Sequence, residues 1–317
     1  MNEFQFIYDL IAPGVRARSD VLLGIGDDGA LLTPPPGESL IVVADTLVVE
    51  RHFPATLPAD DIGYRAAATN LSDIAAMGGE PRWATLALTM PEMNAVWAQT
   101  FLRGLFTAFD EAGVALVGGD TTRGPLTITV QIVGSVPPGL ALTRRGAQPG
   151  DLVYVSGTLG DAAAGLRLLA AAPADTAAQW LAQRFCRPSA RLALGRALRG
   201  LASACIDVSD GLLADLGHIA TQSGCGMRID ADRLPLSDSL RRACAPAECL
   251  SLAASGGDDY ELAFTVPAAR RAELEAALAG TAEAVTCIGQ VVAGEGVVLV
   301  DGTGLPITPA ATGYRHF

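Results

Sequence analysis

The chain has 317 residues, half of them hydrophobic, which is enough apolar material for two packed cores and more than one domain usually holds. Its formal net charge of −12 is the wrong sign for a nucleic-acid backbone or an anionic membrane, since both demand a concentrated basic face. All 22 residues in the Lys+Arg count are arginine, so mechanisms that need a lysine are excluded: the Walker A loop, the protein-kinase strand lysine and Schiff-base catalysis.

From the N-terminus, MNEFQFIYDLIAPGVRARSD has no basic start followed by an apolar core, and no apolar run approaches a membrane span. A soluble cytoplasmic protein is expected. GIGDDGALL follows at 24–32, where a turn between glycines would hold Asp27 and Asp28 together; Asp-Gly is also a common turn pair. LIVVA at 40–44 reads as a strand with Asp45 at its end, and His52 stands in HFP beyond it. Residues 58–79 read as a helix with Asp60 and Asp61 in its first turn and Ile62, Ala66, Ile74 and Met77 on an apolar face. Asn70 and Asp73 share a face at i,i+3 spacing. A second helix over 91–112 carries Trp97, Phe101, Leu105 and Phe109 as a core stripe.

The strand ALV then leads into GGDTTRG, where Gly118, Gly119 and Asp120 are expected just after the strand. Two adjacent glycines cost backbone entropy unless something must approach them, and Arg123 adds a phosphate-type donor. LTITVQIVGSV at 126–136 alternates like a strand with one wet face. A cluster of Pro and Gly from Pro137 to Gly150 marks a boundary, giving domains 1–137 and 138–317, with Arg144 and Arg145 in the linker.

The second half alternates DLVYVSG, helices near 161–172 and 189–200, CIDVS, a helix from Gly211 to about Thr221, MRID, ELAFTV, a helix near 267–279 and AVTCIGQV, which is mixed α/β. AAAPADTAAQ at 170–179 reads as a variable surface turn. In IDVSDGL, Asp207 and Asp210 flank Ser209 at a strand-to-helix junction whose N–H groups and dipole would favour an anion. GGDDYEL pairs Asp258 and Asp259 with Tyr260 before a strand, and Tyr314 sits in the tail GYRHF. Six cysteines without a CxxC pair and three scattered histidines give neither a disulfide framework nor a zinc cluster.

Recurrent aspartates beside glycines suit a hard cation such as Mg²⁺ next to phosphate. Several carboxylates beside a polyphosphate repel strongly, about 4 kcal/mol per pair at 4 Å and an effective dielectric of 20, so more than one ion is expected.

Taken in order, GIGDDGALL, ADTLV, HFP, NLSDIAAMG, GGDTTRGPL, ALTRRGAQPGD, IDVSDGL, GGDDYELAFTV and GYRHF resemble the thiamine-monophosphate kinase family of the aminoimidazole-ribonucleotide synthetase (PurM-like) superfamily, over essentially the whole chain. The resemblance implies two α/β domains, the first contributing strands to a homodimer interface. It implies ATP-dependent phosphorylation of thiamine monophosphate, the last step of thiamine diphosphate biosynthesis, by in-line transfer with several Mg²⁺ ions and no protein nucleophile. By position it assigns Asp28, Asp45, Asp73, Asp120, Asp207 and Asp210 to magnesium, Gly119, Asp120, Arg144 and Ser209 to ATP, and His52, Asp258 and Tyr314 to the thiamine phosphate; Asp120 and Asp210 are the most critical.

Two positions depart from the family pattern: Val43 and Ala44 precede Asp45 where relatives often carry hydroxyl residues, and Asp258 stands where glutamate is frequent. Within the superfamily, selenophosphate synthetases typically carry an N-terminal cysteine and hydrogenase maturation relatives a C-terminal one. Here the first cysteine is Cys186 and the tail reads Tyr314-Arg315-His316-Phe317.

Overall fold

The computed structural model describes residues 5–169, 175–309 and 313–314. It divides into two compact units, 1–74 with 79–139, and 75–78 with 140–317.

In the first unit, β1 (Val21–Leu23) and β2 (Leu31–Leu32) form a small ribbon around the GIGDDGA segment. The main sheet contains β3 (Ser39–Val48), β4 (Glu80–Met90), β5 (Ala115–Arg123) and β6 (Thr127–Val136) in the order β3-β6-β4-β5. β4 and β5 run parallel, as a crossover through a helix requires; the other pairs are antiparallel.

Helices α1 (Ala59–Ala76) and α2 (Ala95–Ala112) supply the other layer. Asn94 caps α2, its Oδ1 accepting the Val96 and Trp97 N–H groups, and Gly113 ends it in a left-handed conformation. The expected stripe is core: Phe101, Leu105 and Phe109 are buried, and Trp97 stacks on Phe101. The two helices cross where a Cβ on Gly63 or Gly104 would strike the backbone of the other, so both positions admit only glycine.

One sheet face is apolar and buried, with Ile41, Leu47, Leu86, Ile128 and Ile132. The opposite face is threonine-rich, with hydroxyl pairs Thr46–Thr129 and Thr89–Thr122, and leaves Leu40 and Val42 about half exposed at its β3 edge.

The second unit is built on a seven-stranded sheet. Its strands are β7 (Leu152–Ser156), β8 (Ala204–Asp207), β9 (Gly226–Asp230), β10 (Leu262–Val266), β11 (Val285–Val292), β12 (Gly296–Val300) and β13 (Pro306–Ile307). Their order is β13-β12-β9-β11-β7-β10-β8. Helices α3 (Asp161–Leu169), α4 (Thr176–Cys186), α5 (Leu192–Ala197), α6 (Leu212–Ser223), α7 (Asp238–Ala243), α8 (Pro246–Ser255) and α9 (Arg271–Leu278) accompany it.

Three expectations need correction. Asp45 does not end a strand, because β3 continues to Val48. Gly118-Gly119-Asp120 do not follow a strand either; β5 runs through them to Arg123, held by the β4 ladder in spite of glycine's low strand propensity. The alanine-rich segment expected as a turn contains the start of α4, capped by Asp175, while 170–174 fall outside the described residues.

Candidate functional site

In the first unit, β5 and the β1–β2 ribbon enclose a groove of about 690 Å³ lined by Asp27, Asp28, Gly118, Gly119, Asp120 and Tyr8, among others. Asp27 Oδ1 accepts the Asp28 N–H at 2.8 Å, and both residues of the GDD pair line the groove. Gly119 is fixed by packing: a Cβ would run into the Leu86 carbonyl on β4. Of the acids expected in this half, the groove gathers Asp28 and Asp120 only.

Asp45 lies elsewhere on the sheet. Its backbone N–H donates to Asn70 Oδ1 of α1 at 2.9 Å, which ties β3 to the turn that carries half-buried Asp73. The ladder sets its distance from the groove: Asp45 aligns with Val130, Val130 with Leu86, and Leu86 with Gly119. Three interstrand steps of about 4.8 Å put Asp45 about 14 Å from that row's end. Asp120, one residue further on, points to the other face of the sheet. His52, just beyond β3, accepts the Val48 N–H on Nδ1 at 2.9 Å, which puts the ring proton on Nε2.

In the second unit the topology itself joins two of the motifs. β8 and β10 are antiparallel with Asp207 opposite Leu262, so IDVSDGL leaves the sheet where GGDDYEL enters it. Backbone bonds continue the pairing past the strands: Val208 N–H to Glu261 O (2.7 Å), Tyr260 N–H to Val208 O (2.9 Å), Asp258 N–H to Ser209 O (2.8 Å). The Tyr314 N–H donates to Asp210 O at 2.9 Å, bringing the predicted substrate residue of the tail to the same place. Ser209, Asp210, Asp258 and Tyr314 therefore share one corner of this unit. Arg315, His316 and Phe317 lie outside the described residues. Arg144 is exposed in the loop before β7, its carbonyl accepting from Ser223 Oγ.

The acids of these motifs divide into two kinds. Asp210 and Asp258 are partly exposed, whereas Asp207, Asp215, Asp259 and Glu261 are buried, and the last three anchor the loops. Asp215 Oδ2 accepts the N–H groups of Ser209, Asp210 and Gly211 at 3.0, 3.1 and 3.1 Å. This overturns the expectation that these N–H groups offer an anion site: a side chain of the helix already holds them. Burial, then Asp207 and Asp210, push the Asp215 carboxyl up to about 8 against the pull of those N–H groups. Asp259 accepts from Gly160 and Ala162, and burial likewise pushes it up to about 8.

Glu261, fully buried, binds Arg184 at 2.8 Å, Arg191 at 2.7 and 2.5 Å, and Ser156 Oγ at 2.5 Å. Between these anchors, Asp258 and Tyr260 hold left-handed backbones, φ 73° and 51°, a strain of about 1–3 kcal/mol each that persists because the anchors over-determine the segment. Asp215, Asp259 and Glu261 were missed as supports; the one signal for Asp215 was an acid in the first turn of a helix with a glycine N-cap.

The donors fit Mg²⁺. It is commonly held by one or two carboxylates plus substrate phosphates and water rather than by a protein cage, and among the described residues no three acids, histidines or cysteines form one.

The family models agree in extent with this layout. AIR synthase related protein, N-terminal domain, matches residues 26–136, and the corresponding C-terminal domain matches 148–302. The chain is 48% identical to the thiamine-monophosphate kinase of Salmonella typhimurium, over 100% of this chain and 98% of that protein. Among solved structures it resembles the thiamine-monophosphate kinase of Stenotrophomonas maltophilia, with 48% identity, TM-score 0.85, and 89% and 92% of the two chains covered. It also resembles AaThiL complexed with AMPPCP and TMP, with 34% identity, TM-score 0.80 and 92% of each chain covered. With likeness of this depth along nearly its entire length, the chain belongs to the thiamine-monophosphate kinase family of AIR synthase related proteins.

Proposed function

We propose that the chain transfers the γ-phosphoryl group of ATP to thiamine monophosphate, releasing thiamine diphosphate and ADP. The observation that carries this is the end-to-end similarity to thiamine-monophosphate kinases, one relative of which is complexed with AMPPCP and TMP.

The acceptor is itself a phosphate, largely ionised at neutral pH, so its oxygen attacks without a protein nucleophile or a strong general base. A lysine-free chain is compatible with such a reaction. Asp28, Asp45, Asp73, Asp120, Asp207 and Asp210 are the residues that would hold Mg²⁺. When bound, Mg²⁺ supplies the positive charge that offsets the crowded phosphates and polarises the transferred group. Gly119 gives the nucleotide close access to the β5 backbone, and Arg144 and Ser209 add donors. His52 offers a ring N–H, and Asp258 and Tyr314 offer an acid and an aromatic ring for the thiamine moiety. The first 137 residues would carry ATP, metal and dimer contacts, and residues 138–317 would complete the site, in a cytoplasmic enzyme.

The sheet geometry supports a homodimer. Asp45 and Asp120 sit on its two edge strands, about 14 Å apart and on opposite faces, whereas carboxylates sharing one Mg²⁺ each lie about 2 Å from it. If both serve one ion, they come from two copies.

The purified protein is assayed with ATP, Mg²⁺ and thiamine monophosphate, following thiamine diphosphate by fluorescence after oxidation. Asp120→Asn and Asp210→Asn should each lower turnover at least a hundredfold with little change in thermal stability. Absence of product from a protein that binds ATP would sink the reading.

A further inference from the structure

The segment Val208–Gly211 spends nearly all its backbone on the protein itself. Ser209, Asp210 and Gly211 give their N–H groups to Asp215, while the carbonyls of Val208, Ser209 and Asp210 accept from Tyr260, Asp258 and Tyr314. Asp215 is only 2% exposed and is fixed in turn by the first bond of α6, its N–H donating to Gly211 O at 3.0 Å. A helix entrance normally offers its first N–H groups to phosphate. Here those donors point inward at a carboxylate, so what the turn presents outward is the Ser209 hydroxyl and the Asp210 carboxylate, which are cation ligands.

We propose that Asp215 is a positioning residue that closes this helix entrance as a backbone phosphate cradle and holds it as a cation-binding turn. This deepens the kinase reading and rests on it. The Asp215 carboxylate does not touch the substrate; it withdraws three competing donors and locks the backbone so that Asp210 has one orientation. Side chains held by packing and by hydrogen bonds behind them need no reordering when the ligand arrives.

The test measures two affinities of full-length protein for a methylene-bridged ATP analogue by calorimetry, one with Mn²⁺ and one in EDTA, with Mn²⁺ binding read separately by electron paramagnetic resonance. Asp215→Ala should weaken Mn²⁺ and Mn²⁺-nucleotide binding at least tenfold while metal-free nucleotide binding stays the same or strengthens, because three N–H groups are released. Should that variant not fold, Asp215→Asn decides by the same comparison: its amide keeps one acceptor oxygen, and an effect of the same sign of at least threefold is expected. Equal losses in both affinities, as a purely structural role would give, or no change in either, overturn the proposal. Failure of the kinase reading looks different: the wild type would bind Mn²⁺-nucleotide and form no thiamine diphosphate.

Discussion

Asp45 and Asp120 allow a decisive experiment on where one site ends and the next begins. The β3-β6-β4-β5 ladder separates their rows by three interstrand steps, about 14 Å, while each aspartate reaches about 5.5 Å from its Cα to a bound ion, so two that share one ion have Cα atoms no more than about 11 Å apart. If both bind one ion, each site takes Asp45 from one copy and Asp120 from the other. Asp45→Asn and Asp120→Asn would then each be inactive alone. A heterodimer of the two has one site with both substitutions and one with neither, so it should recover about half the wild-type activity. Random mixing makes half the dimers heterodimers, giving about a quarter. The two variants are co-expressed with different affinity tags, purified sequentially, and assayed for thiamine diphosphate formation. Heterodimers as inactive as their parents would refute the shared site and return both carboxylates to one chain.

Two further outcomes test the supports of the site. Glu261→Gln leaves two guanidinium groups facing a neutral amide in a fully buried position, a loss of about 3–5 kcal/mol. For a unit of this size that corresponds to a fall of about 6–20 °C in unfolding temperature. Glu275→Gln, which breaks the exposed pair with Arg271, should leave the unfolding temperature nearly unchanged, and equal shifts for the two variants in a calorimetric scan would contradict the role given to the buried cluster. Gly119→Ala drives a methyl group at the Leu86 carbonyl and should cost about 1–3 kcal/mol while reducing kcat/KM for ATP more than tenfold; a variant with unaltered kinetics would show that the β4–β5 approach has slack.

Much of the fold was legible because its signals are local. The Trp97–Phe109 stripe and the alternation in TITVQIVGSV each follow from side-chain period, and the structure contains them at nearly the expected places. Strand ends were harder to read. Aspartate and paired glycines are poor strand formers, so the sequence suggests that β3 and β5 stop at them; ladder bonds to β6 and β4 carry the strands onward. That difference matters for the site, because strand residues alternate faces and loop residues need not. The motifs also could not say which acid of a pair faces a ligand: Asp258 and Asp259 are adjacent, yet one is partly exposed and the other is closed around the Gly160 and Ala162 N–H groups. Only the packing of α3 and α4 against the start of β10 separates them.

The left-handed backbones at Asp258 and Tyr260 set the demands of durability and of chemistry against each other. Glycine at 258 would relieve the strain, so repeated selection for heat resistance alone would tend to erase the side chain proposed to read the substrate. A lineage that keeps aspartate there accepts a weaker turn for the recognition proposed for its side chain. The Arg184–Glu261–Arg191 cluster beneath it is what makes that compromise tolerable.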